Sequence, residues 1–430
     1  MSKRLYSGFL TISIIIPFCV FNFFISVGIY YKTPIMVEKH GRGGMVNECS
    51  MGSDSNGRPI EMAMSKVAPD GCTMEVPLVM VVCEGKGVNG SDGSEMLRGS
   101  WERQAEQVTT LLKTLLYFSS CSHWRIIVLT DMFDTYLKVV KIMDAFPSRH
   151  RRRLLLQYRD VWLPSGYGNL KDHWRTCVWA KQFLAEALPQ EDAVVYVDTD
   201  LVFLGPAEQL SWLLRSMDDQ QAVALAPEPQ YLVEEPKYPS AGRVGLNTGV
   251  MAVNLTRLRR LPGGGLGSAI LKEGSFVPPP RHDQDAVNHY LANKPHLLQE
   301  VTARWNFLPS SCFTEAPPCP DCVSEGILLL HGADATFFRH VDRKYLVGTR
   351  EVLSNGVLSN GILSNGVLSN EVIYSLLASL QLLDDPRSLL AKAVASLART
   401  DVWYDYPCSN YTNINHALTL GMINATKLYH

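Results

Sequence analysis

Neither sign of charge dominates this chain. Its 40 lysines and arginines stand against 42 aspartates and glutamates, a formal net charge of −2. There is no basic surplus to bind nucleic acid and no acidic surplus to form a solvating tail. Zinc-finger spacing is also missing. The ten cysteines are scattered, and one C-x-x-C unit, Cys319-Pro320-Asp321-Cys322, stands without a partner unit. Alone it is half of a metal or redox site, and the crowding prolines Pro317, Pro318 and Pro320 favour a disulfide-bearing loop. What remains is ample for a packed core: 430 residues, 46% of them hydrophobic, fit one large domain or two modest ones.

Charge is missing altogether from Tyr6 to Tyr31, a run rich in Ile, Phe and Val. A helix of that length crosses a bilayer core of roughly 30 Å. Lys3 and Arg4 precede it, which favours a cytoplasmic N-terminus. A cleaved signal peptide is the competing reading, but the run is long for one and no A-x-A cleavage site follows. The expectation is an uncleaved signal-anchor, with residues 1–5 as cytoplasmic tail, 6–31 as membrane helix and the remainder in the secretory lumen. Sequons at Asn89, Asn254, Asn410 and Asn424 agree with that compartment. Asn254 follows an apolar run and is the one expected to be buried and unmodified. Outside the anchor nine cysteines remain, so at least one thiol is free or pairs with another chain.

Residues 32–75 have little periodicity and read as a stem. Order begins at Val76, where Val76–Cys83 is a buried strand by length and β-branched content. Helical spacing follows over Gln104–Phe118, then a strand over Trp124–Asp131 and a helix over Tyr136–Phe146. Trp174–Leu188 reads as one amphipathic helix. Ala193–Val197, Ala222–Ala226 and Gly249–Val253 are further strands. Alternating strands and helices predict an α/β fold with a mainly parallel sheet covered on both faces, which binds ligands at the strands' carboxyl ends. Four Leu-Ser-Asn copies five residues apart, between Val352 and Asn370, are too short to bury a core and read as a surface-loop insertion over 346–371. Helices and a polar tail fill 372–430.

Four segments carry candidate chemistry. Val194–Val197 runs into Asp198-Thr199-Asp200 and out again into Leu201-Val202-Phe203. Two carboxylates among apolar neighbours are costly unless something neutralises them, and a hard divalent cation such as Mg²⁺ or Mn²⁺, itself a bridge to phosphate oxygens, does so. Two exposed acids in a turn are the alternative. His282-Asp283-Gln284-Asp285 opens a helix, either as its cap or as a polar lip facing sugar hydroxyls. Ile327–Leu330 delivers His331 beside Gly332, where an imidazole is a structural residue or a manganese ligand. Gly245–Asn254 places small residues before a buried strand, with Asn247 either capping a turn or bonding a ligand hydroxyl.

In this order the segments resemble glycosyltransferase family 8, of the GT-A fold, and look most like its glucoside xylosyltransferase branch. The resemblance rests on Tyr196-Val197-Asp198-Thr199-Asp200 with Phe203-Leu204-Gly205-Pro206, Ala226-Pro227-Glu228 and Asn247-Thr248-Gly249-Val250-Met251. Asn254-Leu255-Thr256-Arg257-Leu258-Arg259-Arg260, Asp283-Gln284-Asp285 with Asn288, Arg304-Trp305-Asn306-Phe307 and Leu330-His331-Gly332 complete it. It covers roughly Val76 to His340 and implies one GT-A catalytic domain over 76–345. It further implies that Asp198, Asp200 and His331 hold Mn²⁺ against a UDP diphosphate, that Val82, Cys83 and Glu84 border the uridine and that Lys181 faces the diphosphate. Asn247, Asp283 and Gln284 would line the donor sugar and the reacting face. The implied activity is retaining transfer of xylose from UDP-xylose to O-linked glucose on EGF-like repeats, by a type II Golgi or ER membrane protein with a lumenal catalytic domain. A UDP-glucose or UDP-galactose donor, or a non-catalytic lumenal sugar-binding protein, are the alternatives. The lysine many members carry after His-Gly is absent here, and His282 stands where glycine is usual.

Overall fold

The computed structural model describes residues 75–84, 101–120, 122–164, 176–228, 241–274, 282–308 and 319–333, all within the compact unit Met62–His430. The expected cytoplasmic tail, anchor, stem up to residue 74, Leu-Ser-Asn insertion and C-terminal helices lie outside these residues, as do the sequons at Asn89, Asn410 and Asn424. Among the described residues no helix is long and apolar enough to cross a membrane.

The strands are β1 (Leu78–Val81), β2 (Trp124–Thr130), β3 (Leu154–Asp160), β4 (Ala193–Val197), β5 (Leu201–Phe203), β6 (Val223–Pro227), β7 (Leu246–Asn254), β8 (Leu298–Glu300) and β9 (Leu329–His331). Seven form one sheet in the order β3-β2-β1-β4-β7-β6-β8, and β5 with β9 forms a two-stranded ribbon. Strands β1 to β4 are mutually parallel, β6 and β8 are parallel, and β7 alone runs against both neighbours. The α/β expectation of a mainly parallel sheet therefore holds, with β7 as its antiparallel member.

Near-continuous apolar strands mean a sheet buried on both faces, and alternate residues do divide between two cores. Leu78, Met80, Val195 and Val197 pack on one face with Leu111, Leu112, Leu115 and Leu116 of α1 (Trp101–Tyr117). Val79, Val194 and Tyr196 pack on the other with Phe183, Leu184, Ile270, Val287 and Leu291. That second face is covered by α3 (Thr176–Trp179), a 3-10 turn (Ala180–Phe183), α4 (Leu184–Ala187), α6 (Leu266–Glu273) and α7 (Asp283–Ala292). Helix α2 (Phe133–Asp144) lies against β2 and β3, α5 (Leu210–Arg215) follows β5, and α8 (Pro320–Glu325) precedes β9.

Three expectations are corrected. In place of the single helix over 174–188, the described residues 176–187 form three short pieces, with the backbone at Phe183 outside helical geometry (φ −105°, ψ 27°). The Phe183 ring lies against Gly267, where an added Cβ would stand 2.5 Å from it. Strand β3 was not foreseen, since its half-exposed Gln157 and Tyr158 and exposed Arg159 show no buried pattern. The strand delivering His331 is also shorter than Ile327–Leu330 and takes in the histidine itself. The loop reading of Cys319-Pro320-Asp321-Cys322 carries its disulfide, Cys319 to Cys322, on the first turn of α8. Asn254 is half-buried, and its Oδ1 accepts the Arg257 amide at 3.0 Å.

Candidate metal and diphosphate site

The site forms where β4 ends. The Asp198 amide is fixed to the Gly249 carbonyl of β7 at 2.8 Å, and the chain then turns through Thr199 and Asp200 into β5. Pairing of β5 with β9 sets Leu201 opposite His331, and the Gly332 amide donates to the Asp200 carbonyl at 2.8 Å. Residues more than 130 positions apart thereby meet. One ligand atom each from Asp198, Asp200 and His331 lie within 4.8 Å of one another. His331 Nε2 is 3.4 Å from Asp200 Oδ1 and 3.8 Å from Asp198 Oδ2. Two carboxylates and an imidazole are a donor set that suits Mn²⁺ or a similar divalent ion.

Gly249 explains itself here. A Cβ on it would come within 2.2 Å of His331 Cε1, so the imidazole is seated directly on backbone that bears no side chain. His331 is 3% exposed, and its buried Nδ1 has no hydrogen-bond partner among the described residues.

A second layer sits beside the acids. Lys181 is 6% exposed, with Nζ 3.5 Å from Asp198 Oδ2 and 3.2 Å from Asp283 Oδ2, and 5.5 Å above the Tyr196 ring. Gln182 Nε2 and Thr248 Oγ1 each donate to Asp283 Oδ2 at 3.3 Å. The Tyr196 hydroxyl donates to Asp198 Oδ1. At the helix opening the Asp285 carboxylate caps α7 by accepting the His282 amide at 3.1 Å, while Asp283 is turned toward Lys181, Gln182 and Thr248.

The electrostatics follow from this crowding. Burial, reinforced by Asp200, raises the Asp198 pKa against the pull of Lys181 and His331. Burial also works against the Asp200 charge, but the facing His331 outweighs it and holds Asp200 below the usual carboxylate range. For His331 and Lys181, burial opposes the charged form and loses to the carboxylates, so both pKa values are raised.

Asn247 and Gln284 join the site through a group that sequence reasoning named in a motif but gave no role. Buried Glu228, at the end of β6, accepts from Asn247 Nδ2 at 2.7 Å and from Gln284 Nε2 at 3.4 Å. Asn247 Oδ1 in turn accepts the Gly249 amide (2.8 Å) and Asn306 Nδ2 (2.7 Å). Gln284 Oε1 accepts the Thr248 amide at 3.1 Å. Gln182 and Asn306 were likewise without a role, and each keeps a buried side-chain oxygen with no partner among the described residues. Val82, Cys83 and Glu84 lie past the end of β1. Val82 donates to the Leu129 carbonyl at 2.9 Å, Glu84 pairs with Lys138, and Cys83 is bonded to Cys177.

No family model matches the chain. Curated relatives do. Glucoside xylosyltransferase 1 of Gallus gallus is 28% identical over 250 residues, 54% of this chain and 56% of that protein. Its counterpart in Mus musculus is 29% identical over 250 residues, 54% of this chain and 60% of that protein. The human one is 31% identical over 181 residues, 38% and 40%. The chain thus matches a little over half the length of the chicken and mouse proteins, and the resemblance read from the motifs is found there. Among solved structures, the apo form of mouse xyloside xylosyltransferase 1 is similar over 61% of this chain and 99% of that one, at 15% identity and a TM-score of 0.44. A galactosyltransferase in complex with donor and acceptor sugar analogues is similar over 66% and 97%, at 14% identity and a TM-score of 0.45.

Proposed function

We propose that this chain is a retaining glycosyltransferase of GT-A type that transfers xylose from UDP-xylose to O-linked glucose on EGF-like repeats of glycoproteins. The observation that carries the reading is the convergence of Asp198, Asp200 and His331 at the carboxyl end of β4. The relatives' names support the donor and the reaction. The lumenal compartment and the type II membrane anchor, in Golgi or ER, rest on the uncharged run at 6–31.

The donor set fits a divalent cation, taken here as Mn²⁺, which when bound neutralises charge on the donor's diphosphate. The protein's own groups do the rest. Lys181, held charged between Asp198 and Asp283, faces the same region and stabilises the negative charge that grows on the departing diphosphate. Asp283 keeps that ammonium in place and, with Asn247 and Gln284, offers polar atoms to the donor sugar. Glu228 orients both amides. The acceptor oxygen then bonds to the sugar's anomeric carbon on the side from which UDP leaves, as the bond from that carbon to the diphosphate oxygen breaks and the acceptor's proton passes to the departing diphosphate.

The test is a panel of UDP-sugars offered with an O-glucosylated EGF repeat, with Mn²⁺ and with EDTA. Transfer from UDP-xylose that EDTA abolishes is expected. Transfer only from a hexose donor would overturn the xylose assignment, and transfer indifferent to EDTA would overturn the metal role.

A further inference from the structure

The helical segment that carries Lys181 is poorly able to hold itself. It comprises four residues of α3, four of 3-10 turn and four of α4, and isolated helices below about 12 residues are marginal. Lys181 is nonetheless buried with its ammonium between two carboxylates, where a small displacement would strand charges on both sides. Gln182 reaches the same Asp283 oxygen. Something must fix where this segment begins.

The fixed point is covalent. Cys177, on α3 and one helical turn before Lys181, is bonded to Cys83 just past β1, across 94 residues and with Cα atoms 6.3 Å apart. Strand β1 is held on both sides, by β2 and β4, and the Cys83 carbonyl accepts Gln104 Nε2 from α1 at 2.5 Å. The Asp131 carboxylate at the end of β2 lies within 4.8 Å of both sulfurs. The bridge therefore ties the Lys181 segment to the carboxyl-end rim of the sheet, the rim on which the acid cluster stands.

We propose that the Cys83–Cys177 disulfide is a positioning pair for Lys181, setting how strongly the protein holds a nucleoside diphosphate. The proposal rests on the donor-site reading above. The bridge makes no contact with the diphosphate itself: it acts by keeping the start of the segment against β1, so that the ammonium stays where the two acids and the ligand meet.

The test is a calorimetric titration of UDP with Mn²⁺ into wild type, Cys177→Ser, Lys181→Gln, the double variant and Asp198→Asn. Cys177→Ser should weaken UDP by roughly five- to tenfold, and Lys181→Gln by at least as much. The double variant should bind no more weakly than Lys181→Gln alone, because a bridge that works through Lys181 has nothing left to position. A merely structural bridge would give losses that add. Additive losses, or wild-type affinity in Cys177→Ser, would overturn the proposal. If Cys177→Ser does not fold, folded wild type reduced and alkylated at Cys83 and Cys177 takes its place, alone and on the Lys181→Gln background, with the same outcomes deciding. Wild-type affinity in both Lys181→Gln and Asp198→Asn would sink the donor-site reading and the proposal together. Loss in those two with none in Cys177→Ser would sink the proposal alone.

Discussion

Asp198 and Asp200 stand two positions apart yet keep different electrostatic company. Asp198 faces Lys181 and Tyr196, and its burial raises its pKa; Asp200 faces His331 and is held low. The raised His331 pKa has a consequence for ligand binding. In the metal-free protein, attraction between protonated His331 and its carboxylates is fully present below the histidine's ordinary value and is lost as pH rises through the higher folded value. A cation must displace that proton. Mn²⁺ affinity should therefore climb as pH rises above the histidine's ordinary value of 6.5, measured by titration of the metal alone. A flat profile would contradict the assignment of His331. Gly249 gives a sharper residue-scale test. Gly249→Ala places a methyl 2.2 Å from His331 Cε1, so the imidazole must leave its seat. Mn²⁺ affinity should fall by about tenfold or more, with the denaturation midpoint recorded beside it; unchanged affinity would mean that His331 is no ligand.

Individual elements show where sequence and fold part company. Strands β1 and β4 were legible because each is a short unbroken run of apolar and aromatic residues. β3 was not, because edge position leaves Gln157 and Arg159 partly in water. The 174–188 segment has helical spacing throughout, yet its described part is not one helix, and at Phe183, which is seated over Gly267 across the fold, the backbone leaves helical geometry. The Arg257-Leu258-Arg259-Arg260 motif also gains a structural account. Arg259 donates to the Leu188 and Glu191 carbonyls, each at 2.7 Å, and to that of Ala185 at 3.3 Å, satisfying the end of α4 and the loop after it. Arg259→Met should cost ~2 kcal/mol of unfolding free energy, read from the shift of a urea midpoint; no shift would mean that water serves these carbonyls equally well. Helix α1 is buried on every side from Thr110 to Leu116, and burial pushes the Lys113 ammonium down from 10.5 to about 8. Between those values the unfolded chain binds the extra proton, so stability rises with pH across that window, by up to ~3 kcal/mol in all. Lys113→Met should remove that slope. The variant's advantage over wild type should be greatest below about pH 8 and shrink toward pH 10.5 in parallel urea titrations. A constant difference would contradict the burial account.

At the scale of the whole molecule, the site is assembled from the ends of β4, β6, β7 and β9 and the first turn of α7. The residue types were legible from sequence because a carboxylate pair after an apolar strand, a histidine after another and an amide before a third are rare company. Their meeting was not, since it depends on two registers: Leu201 opposite His331, and Val197 opposite Val250. Neither can be read from local spacing. Glu228 stayed without a role for the same reason. A lone acid after a strand is ordinary, and only the fold sets it between Asn247 and Gln284.

The most direct measurement is anomalous diffraction at the manganese edge from crystals grown with UDP and Mn²⁺. The account predicts one strong peak bounded by the carboxylates of Asp198 and Asp200 and the imidazole of His331, with the diphosphate on its open side and Lys181 beside it. A manganese peak elsewhere, or UDP ordered in the protein with those three side chains turned away from it, would contradict the account.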